Sequence, residues 1–271
     1  MKHTFIAATL TIAALSGSAL AQENISAVGS SSVSPLMEVF GETYQQIHPE
    51  VFIEVQGPGS SAGVRAAKDK SADLGMASRE LASSEKETDL HSEIIARDGI
   101  AVVVNPSNSV DSLTAQQIHD IYAGDIKNWK EVGGEDKPIV AVTRDTASGT
   151  RGAFEEIMQL TKKINGQKVS AISQHAQVSN GNGHSKTMAA QNPFAISYIS
   201  LGSVDSSVVP VTVDGTPASV ENVKNGSYKV ARPFQVLYKG TPNTRTQQFL
   251  DWMLSAEAQA IVADQGYISI N

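Results

Sequence analysis

"TRDTASGTRGAF", Thr143–Phe154, is the stretch on which the fold turns. It follows "PIVAVTR", Pro138–Arg144, a short apolar run rich in β-branched residues that reads as a strand. Within and beyond it, Phe154, Ile157 and Met158 recur at helical spacing. The unit is therefore strand, Gly/Ser turn, helix, with Ser148, Gly149 and Thr150 at the helix N-terminus. Backbone N–H groups there have no intrahelical partner, and the helix dipole adds partial positive charge. Such a place suits an anion. Ser and Thr also cap helices as a matter of routine, and this stretch alone leaves both readings open. Arg144 and Asp145 stand just before the turn. The acid can orient the guanidinium while the remaining donors face an anion.

The same device occurs twice more, in "VGSSSVSPL" (Val28–Leu36) and "GPGSSAGV" (Gly57–Val64). Gly lets a backbone approach a ligand closely, and Ser adds a hydroxyl to the free N–H groups. Ligands of open α/β sheets sit at the carboxyl ends of strands, where helices begin, so three such turns can converge on one site. Around them the chain alternates strands and helices. Strands are read at "NISAVG", "VFIEVQG", "ADLGMAS", "GIAVVVNP", "PIVAVTR", "FAISYISLG" and "PFQVLYKG". Helices are read at "SPLMEVFGETYQQIHP", "SAGVRAAKDK", "TAQQIHDIYAG" and "GTRGAFEEIMQL", with one long final helix over Thr244–Gly266. This alternation predicts an α/β fold with mostly parallel sheets. No solenoid-length repeat or low-complexity linker is present.

The first residues, "MKHTFIAATLTIAALSGSALAQEN", combine Lys2, an apolar run from Phe5 to Leu15 and small residues at Ala19 and Ala21. This is the pattern of a secretory signal peptide cut after Ala21. The run is too short to span a bilayer. The chain has no cysteine, so no lipid anchor, disulfide or thiolate chemistry is expected. The 250 residues left after cleavage suffice for a large core, at the size where chains often divide into two domains. The formal charge is −7, and loss of Lys2 makes it −8. A basic surface for nucleic acid is thereby excluded. Any anion must be held by local dipoles and a single arginine against the net field.

Other patterns carry less. "GSSAG", Gly59–Gly63, matches the G-x-S-x-G elbow of serine hydrolases, with Ser61 as the nucleophile and His119, His175 and His184 downstream. Gly/Ser-rich turns match that short pattern by chance. The six histidines are scattered without metal-ligand spacing, and no P-loop or dinucleotide fingerprint occurs, so neither metal nor cofactor is expected. "GNGHSK", Gly181–Lys186, is a polar loop that either borders a cleft or, more simply, is a plain turn. "DLGMASREL", Asp73–Leu81, ends a strand at Ser78-Arg79, where the arginine pairs either with a carboxylate of the protein or with a ligand.

"GSSSVSPL", "GSSAG", "DLGMASREL", "LTAQQIHDIYAGDIKNWKEVGG", "TRDTASGTRGAF" and "FAISYISLG" occur in this order. Together they resemble the periplasmic phosphate-binding proteins of high-affinity phosphate ABC transporters, in their shorter variety. The likeness runs through essentially the whole chain after the leader. It implies a two-lobed, hinged α/β fold, each lobe a mixed, mostly parallel sheet flanked by helices. "DGIAVVVNP" would be the first crossing strand and "RPFQVLYKG" the return. Lobe one is then 22–99 plus 233–271, and lobe two 100–232. Carried over by position, the ligand residues are Ser31, Ser32, Ser60, Arg144, Ser148, Gly149 and Thr150. Ser78 stands where some members carry an aspartate that accepts the phosphate proton and repels sulfate. The resemblance implies a monomeric periplasmic receptor that hands inorganic phosphate to a membrane permease and catalyses nothing. The rivals are a receptor for sulfate, molybdate or tungstate, a secreted hydrolase using Ser61, and an adhesive or scavenging protein of the same fold.

Overall fold

The computed structural model describes residues 23–271, so the signal-peptide reading of residues 1–21 falls outside the described residues. The chain runs β1 (Glu23–Gly29), α1 (Ser34–Ile47), β2 (Val51–Gln56), α2 (Ser60–Asp69), β3 (Leu74–Ala77) and β4 (Leu90–Val104). It continues through β5 (Ser112–Leu113), α3 (Ala115–Ala123), β6 (Val140–Arg144), α4 (Gly149–Ile157), β7 (Thr161–Ile164), β8 (Gln167–Ser170) and β9 (Gln177–Ser179). Then follow α5 (Asn182–Gln191), β10 (Ala195–Ser200), β11 (Val209–Pro210), β12 (Thr212–Val213), α6 (Val220–Lys224), β13 (Ala231–Lys239), α7 (Thr244–Met253) and α8 (Ala256–Asp264).

The main sheet has the order β2-β1-β3-β13-β4-β10-β6-β9, with β11 also on β4. Its two flanks are parallel: β1 lies between β2 and β3, and β6 between β10 and β9. Its centre is antiparallel, where β13 pairs with β3 and β4, and β4 with β10. The sheet is therefore mixed. Parallel neighbours need helical crossovers, which α1, α2, α4 and α5 supply; the centre is antiparallel because the chain passes along β4 and returns along β13.

β4 is longer than "GIAVVVNP" announces. Leu90–Gly99 pairs with β13, and Ile100–Val104 pairs with β10. The first half escapes a hydrophobic reading because His91, Ser92 and Arg97 are exposed along it. Two large apolar clusters divide β4 between them, one taking Ile95 and Ala96, the other Ile100, Val102 and Val104. One draws on residues from Ile25 to Ala96 and from Phe234 to Tyr267. The other draws on Ile100 to Val230, with Ile268 added.

Two expectations need correction. The single final helix is two, broken at Leu254-Ser255, because the Ser255 hydroxyl accepts from the Ala258 N–H (3.3 Å) and starts α8 afresh. The stretch "GNGHSK" is not a plain turn: Gly181 precedes α5, so it is a fourth glycine-led helix start. None of the helices among the described residues is long and apolar enough to cross a membrane.

Candidate functional site

The strand–turn–helix of the opening stretch is fixed by aromatic packing. Phe154 of α4 stacks on Tyr198 of β10, with ring centroids 3.9 Å apart. The Tyr198 hydroxyl in turn bonds Thr143 Oγ1 (2.7 Å) and accepts the Arg144 N–H (3.2 Å). Burial pushes the Tyr198 phenol up to about 12, so it stays neutral and keeps these bonds. Ser148 does cap α4, its hydroxyl accepting from the Arg151 N–H at 3.2 Å. The cap and anion readings are thus compatible, since the cap uses one lone pair and leaves neighbouring N–H groups of the first turn free.

Against this turn lie the other two. Ser32 Oγ meets Thr150 Oγ1 at 2.9 Å, joining residues 118 apart in sequence. The Ser61 N–H donates to the Ala147 carbonyl (3.2 Å). Gly59 makes that approach possible: its φ is +116°, and a Cβ there would fall 2.7 Å from the Ala147 oxygen. Gly149 is equally confined by its surroundings, since a Cβ would lie 2.1 Å from Ser60 Oγ and 2.6 Å from Ser78 Oγ. The structure therefore gathers all eight sequence-predicted positions, Ser31, Ser32, Ser60, Ser78, Arg144, Ser148, Gly149 and Thr150, around the start of α4. Seven are buried, and Ser31 is half-buried.

Arg144 is the electrostatic centre. It is 1% exposed. Its Nη1 donates to Asn182 Oδ1 (3.1 Å) and its Nη2 to Ser31 Oγ (3.1 Å), while Nε donates to no protein acceptor. Both partners are neutral. The nearby carboxylates are used elsewhere. Asp145 Oδ1 accepts from the Ala147 N–H (2.8 Å), and Glu155 pairs with Arg151 (2.7 Å). So Asp145 shapes the turn rather than orienting the guanidinium, a role that falls to Asn182 and Ser31. Burial lowers the Arg144 pKa from its ordinary value, and Arg232 adds to that, although Asp145 and Tyr198 partly oppose it. A buried cation with neutral partners and a free donor is costly unless an anion completes it.

A model of the PBP superfamily domain matches residues 14–257. The chain belongs to the PBP superfamily. An X-ray structure from Clostridium perfringens, of a putative phosphate ABC transporter substrate-binding protein with bound phosphate, is 44% identical. It covers 92% of this chain and 100% of its own, with a TM-score of 0.86. An ABC-type phosphate transport receptor from Vibrio cholerae is 40% identical over 91% of this chain and 100% of its own, with a TM-score of 0.79. The phosphate-binding protein PstS of Bacillus subtilis is 29% identical over 94% of this chain and 83% of its own length.

In this PBP-superfamily chain, four polar residues that the sequence reading passed over complete the cluster. Asn182, at the start of α5, accepts from Arg144 and donates Nδ2 to Ser32 Oγ (3.0 Å), so it ties two of the turns together. Its signal was present, as "NGNG" leads a helix just as the other Gly/Ser turns do. Ser30 Oγ donates to Ser78 Oγ (2.8 Å). Asp98 of β4 and Arg232 of β13 face each other in register and form a buried ion pair (2.9 Å). Burial raises the Asp98 pKa, with Arg232 pulling against it. Nothing local in the sequence marks Asp98 or Arg232, because their partnership arises only when β13 returns along β4.

Geometry bears on two alternatives left open by the sequence. Arg79 pairs with Glu85 through both Nη atoms (2.6 and 2.7 Å), so its partner is a carboxylate of the protein. The Ser61 hydroxyl lies 3.4 Å from Arg79 Nη2, and no histidine bonds to it among the described residues. His119 Nδ1 is engaged with the Met158 carbonyl (2.8 Å), and His184 Nδ1 with Asn180 Oδ1 (3.0 Å).

Proposed function

We propose that this chain is the receptor of a phosphate ABC transporter, binding inorganic phosphate where the three Gly/Ser turns meet and delivering it to a permease. The observation that carries this reading is Arg144, buried, bonded only to neutral groups and left with a free donor among hydroxyls and helix-start N–H groups. The phosphate-bound Clostridium perfringens structure and the Vibrio cholerae phosphate transport receptor, so similar along their whole length, agree with it. Lobe one is residues 22–99 plus 233–271 and lobe two is 100–232, with β4 and β13 as the connection. The two apolar clusters, which part along β4 between Ala96 and Ile100, support this division. Binding closes the lobes over the anion and excludes water, which strengthens each charge-assisted bond. The protein works as a periplasmic monomer and catalyses nothing.

Calorimetry of the phosphate-stripped protein tests the reading. One phosphate per chain is expected, with competition by other tetrahedral oxyanions measured afterwards. Strong heat with molybdate and none with phosphate would reassign the ligand. Gly149→Ala is expected to weaken phosphate by about 1–3 kcal/mol, the usual cost of overpacking, which is a loss of roughly fivefold to 150-fold. The reason is steric: the new methyl occupies the space of Ser60 Oγ and Ser78 Oγ, so α4 must retreat from both. Unaltered affinity in that variant would mean that α4 does not close against these serines when phosphate binds.

A further inference from the structure

The hydroxyl of Ser78 sits at the end of a hydrogen-bond chain whose directions can be worked out link by link. Ser30 Oγ accepts from the Ser32 N–H (3.1 Å) and from the Val33 N–H (3.4 Å). Both its lone pairs are then used, and its own proton goes to Ser78 Oγ at 2.8 Å. Ser78 Oγ receives a second donor, Arg232 Nη1, at 3.2 Å. That nitrogen also reaches the Ser78 carbonyl at 3.3 Å. Arg232 cannot turn away. Its Nε and Nη2 are held on Asp98 Oδ2 at 3.3 and 2.9 Å, its side chain is 1% exposed, and its guanidinium lies 5.3 Å from the centre of the Phe234 ring.

A serine hydroxyl has two lone pairs and one proton. With both lone pairs of Ser78 filled by Ser30 and Arg232, only the proton remains to be offered. Among the described residues its one candidate acceptor is Ser60 Oγ, at a long 3.5 Å, and that oxygen already accepts the Ser78 N–H at 3.1 Å. The start of α4 packs against both hydroxyls, a Cβ on Gly149 coming within 2.6 Å of Ser78 Oγ and 2.1 Å of Ser60 Oγ. The charged groups around Ser78 are Arg232 on β13, Asp98 on β4, Arg144 on β6 and its neighbour Arg79, which is turned to Glu85. Of these cations Arg232 is the one that donates to the Ser78 oxygen, which favours an acceptor role for that oxygen and hence a donor role for its proton.

We infer that Arg232 is a positioning residue that fixes Ser78 as a hydrogen-bond donor to the bound anion, so that Ser78 does not take up the proton that distinguishes phosphate from sulfate. This rests on the phosphate-receptor reading and adds to it which position does not discriminate and why. A free serine could accept from phosphate or donate to sulfate. Here the hinge-strand ion pair removes that choice. Any preference for phosphate must arise at other hydroxyls of the cleft.

The test measures phosphate and sulfate affinities, by calorimetry at one pH and ionic strength, for wild type, Ser78→Ala and Arg232→Lys. If Ser78 donates, Ser78→Ala weakens both anions by the same factor, and the phosphate-to-sulfate ratio moves less than threefold. Arg232→Lys keeps the charge opposite Asp98 but withdraws the Nη1 donor, freeing a lone pair on Ser78. The ratio is then expected to rise at least threefold. A ratio that falls tenfold or more in Ser78→Ala would show that Ser78 accepts the phosphate proton, and would overturn the inference even if Arg232→Lys fails to fold. An unchanged ratio in a folded Arg232→Lys would overturn the role of Arg232. These outcomes differ from failure of the receptor reading itself, in which wild type takes up no phosphate at all.

Discussion

Arg144→Ala is expected to weaken phosphate by about 2–5 kcal/mol, the usual cost of truncating one partner of a buried, hydrogen-bonded charge pair. That is roughly a thirtyfold to several-thousandfold loss of affinity. The same change should leave the melting temperature of the ligand-free protein unchanged or higher. The two halves of this expectation have one cause. In the protein alone Arg144 is a buried cation whose acceptors, Asn182 Oδ1 and Ser31 Oγ, carry no charge. Its desolvation is uncompensated, and deleting it removes a cost rather than a bond worth keeping. Asn182 and Ser31 retain other options, because Asn182 Oδ1 also accepts from the Ser200 N–H (3.3 Å) and Ser31 is only half-buried. With phosphate bound, the guanidinium becomes the principal counter-charge. Thermal scans with and without phosphate check both halves, since a ligand that binds only the folded state raises its stability by mass action. Wild type should show a large phosphate-dependent shift, and the variant a small one from an equal or higher baseline. A variant that melts well below wild type without phosphate would mean that Arg144 is structural.

What the sequence made legible follows the reach of each interaction. The Gly/Ser turns are local: a strand, a flexible residue and a helix start lie within about ten residues, and each component leaves a mark in composition or periodicity. Ser31, Ser32, Ser60, Arg144, Ser148, Gly149 and Thr150 came from such turns together with the family resemblance. Asn182 had the same local mark, but its helix shows almost no amphipathic pattern, with polar His184, Ser185 and Lys186 in its first turns, and so it read as a loop. The break at Ser255 was hidden for the opposite reason. Both α7 and α8 are good helix sequences, and the serine that separates them resembles an ordinary surface residue until its hydroxyl is seen to cap. Asp98 and Arg232 lie 134 residues apart, and each alone looks like a charge at a strand position. Only the antiparallel register of β4 and β13 makes them a pair, and only the neighbouring β3 brings Ser78 within reach of Arg232. The residues that hold the ligand groups in place are thus harder to read than the groups themselves.

Asp98→Ala should destabilise the fold more than any other single substitution in the cleft, by about 3–5 kcal/mol, because it leaves the Arg232 charge buried and unpaired. For a chain of this size, at about 2–4 °C per kcal/mol, the melting temperature should fall by roughly 6–20 °C. Both side chains are 1% exposed, so solvent cannot replace the lost carboxylate without the strand pair opening. The location makes this costly for function too. Asp98 and Arg232 are cross-strand partners where β4 and β13 run together between the two apolar clusters, and Arg232 also holds Ser78. Removing the carboxylate frees the guanidinium to tilt toward any remaining acceptor, and the Ser78 oxygen already lies within its reach. The double change Asp98→Ala with Arg232→Met separates charge from packing. A buried pair replaced by apolar groups is often neutral or even stabilising, so the double variant should recover most of the stability lost in the single one. Denaturant melts of wild type, both single variants and the double variant give the coupling energy directly. Additive losses would mean that the two side chains contribute independently. A strongly favourable coupling, with the double variant close to wild type in stability yet altered in its anion preference, is the result expected if this pair is kept for how it sets Ser78 rather than for how it holds the fold.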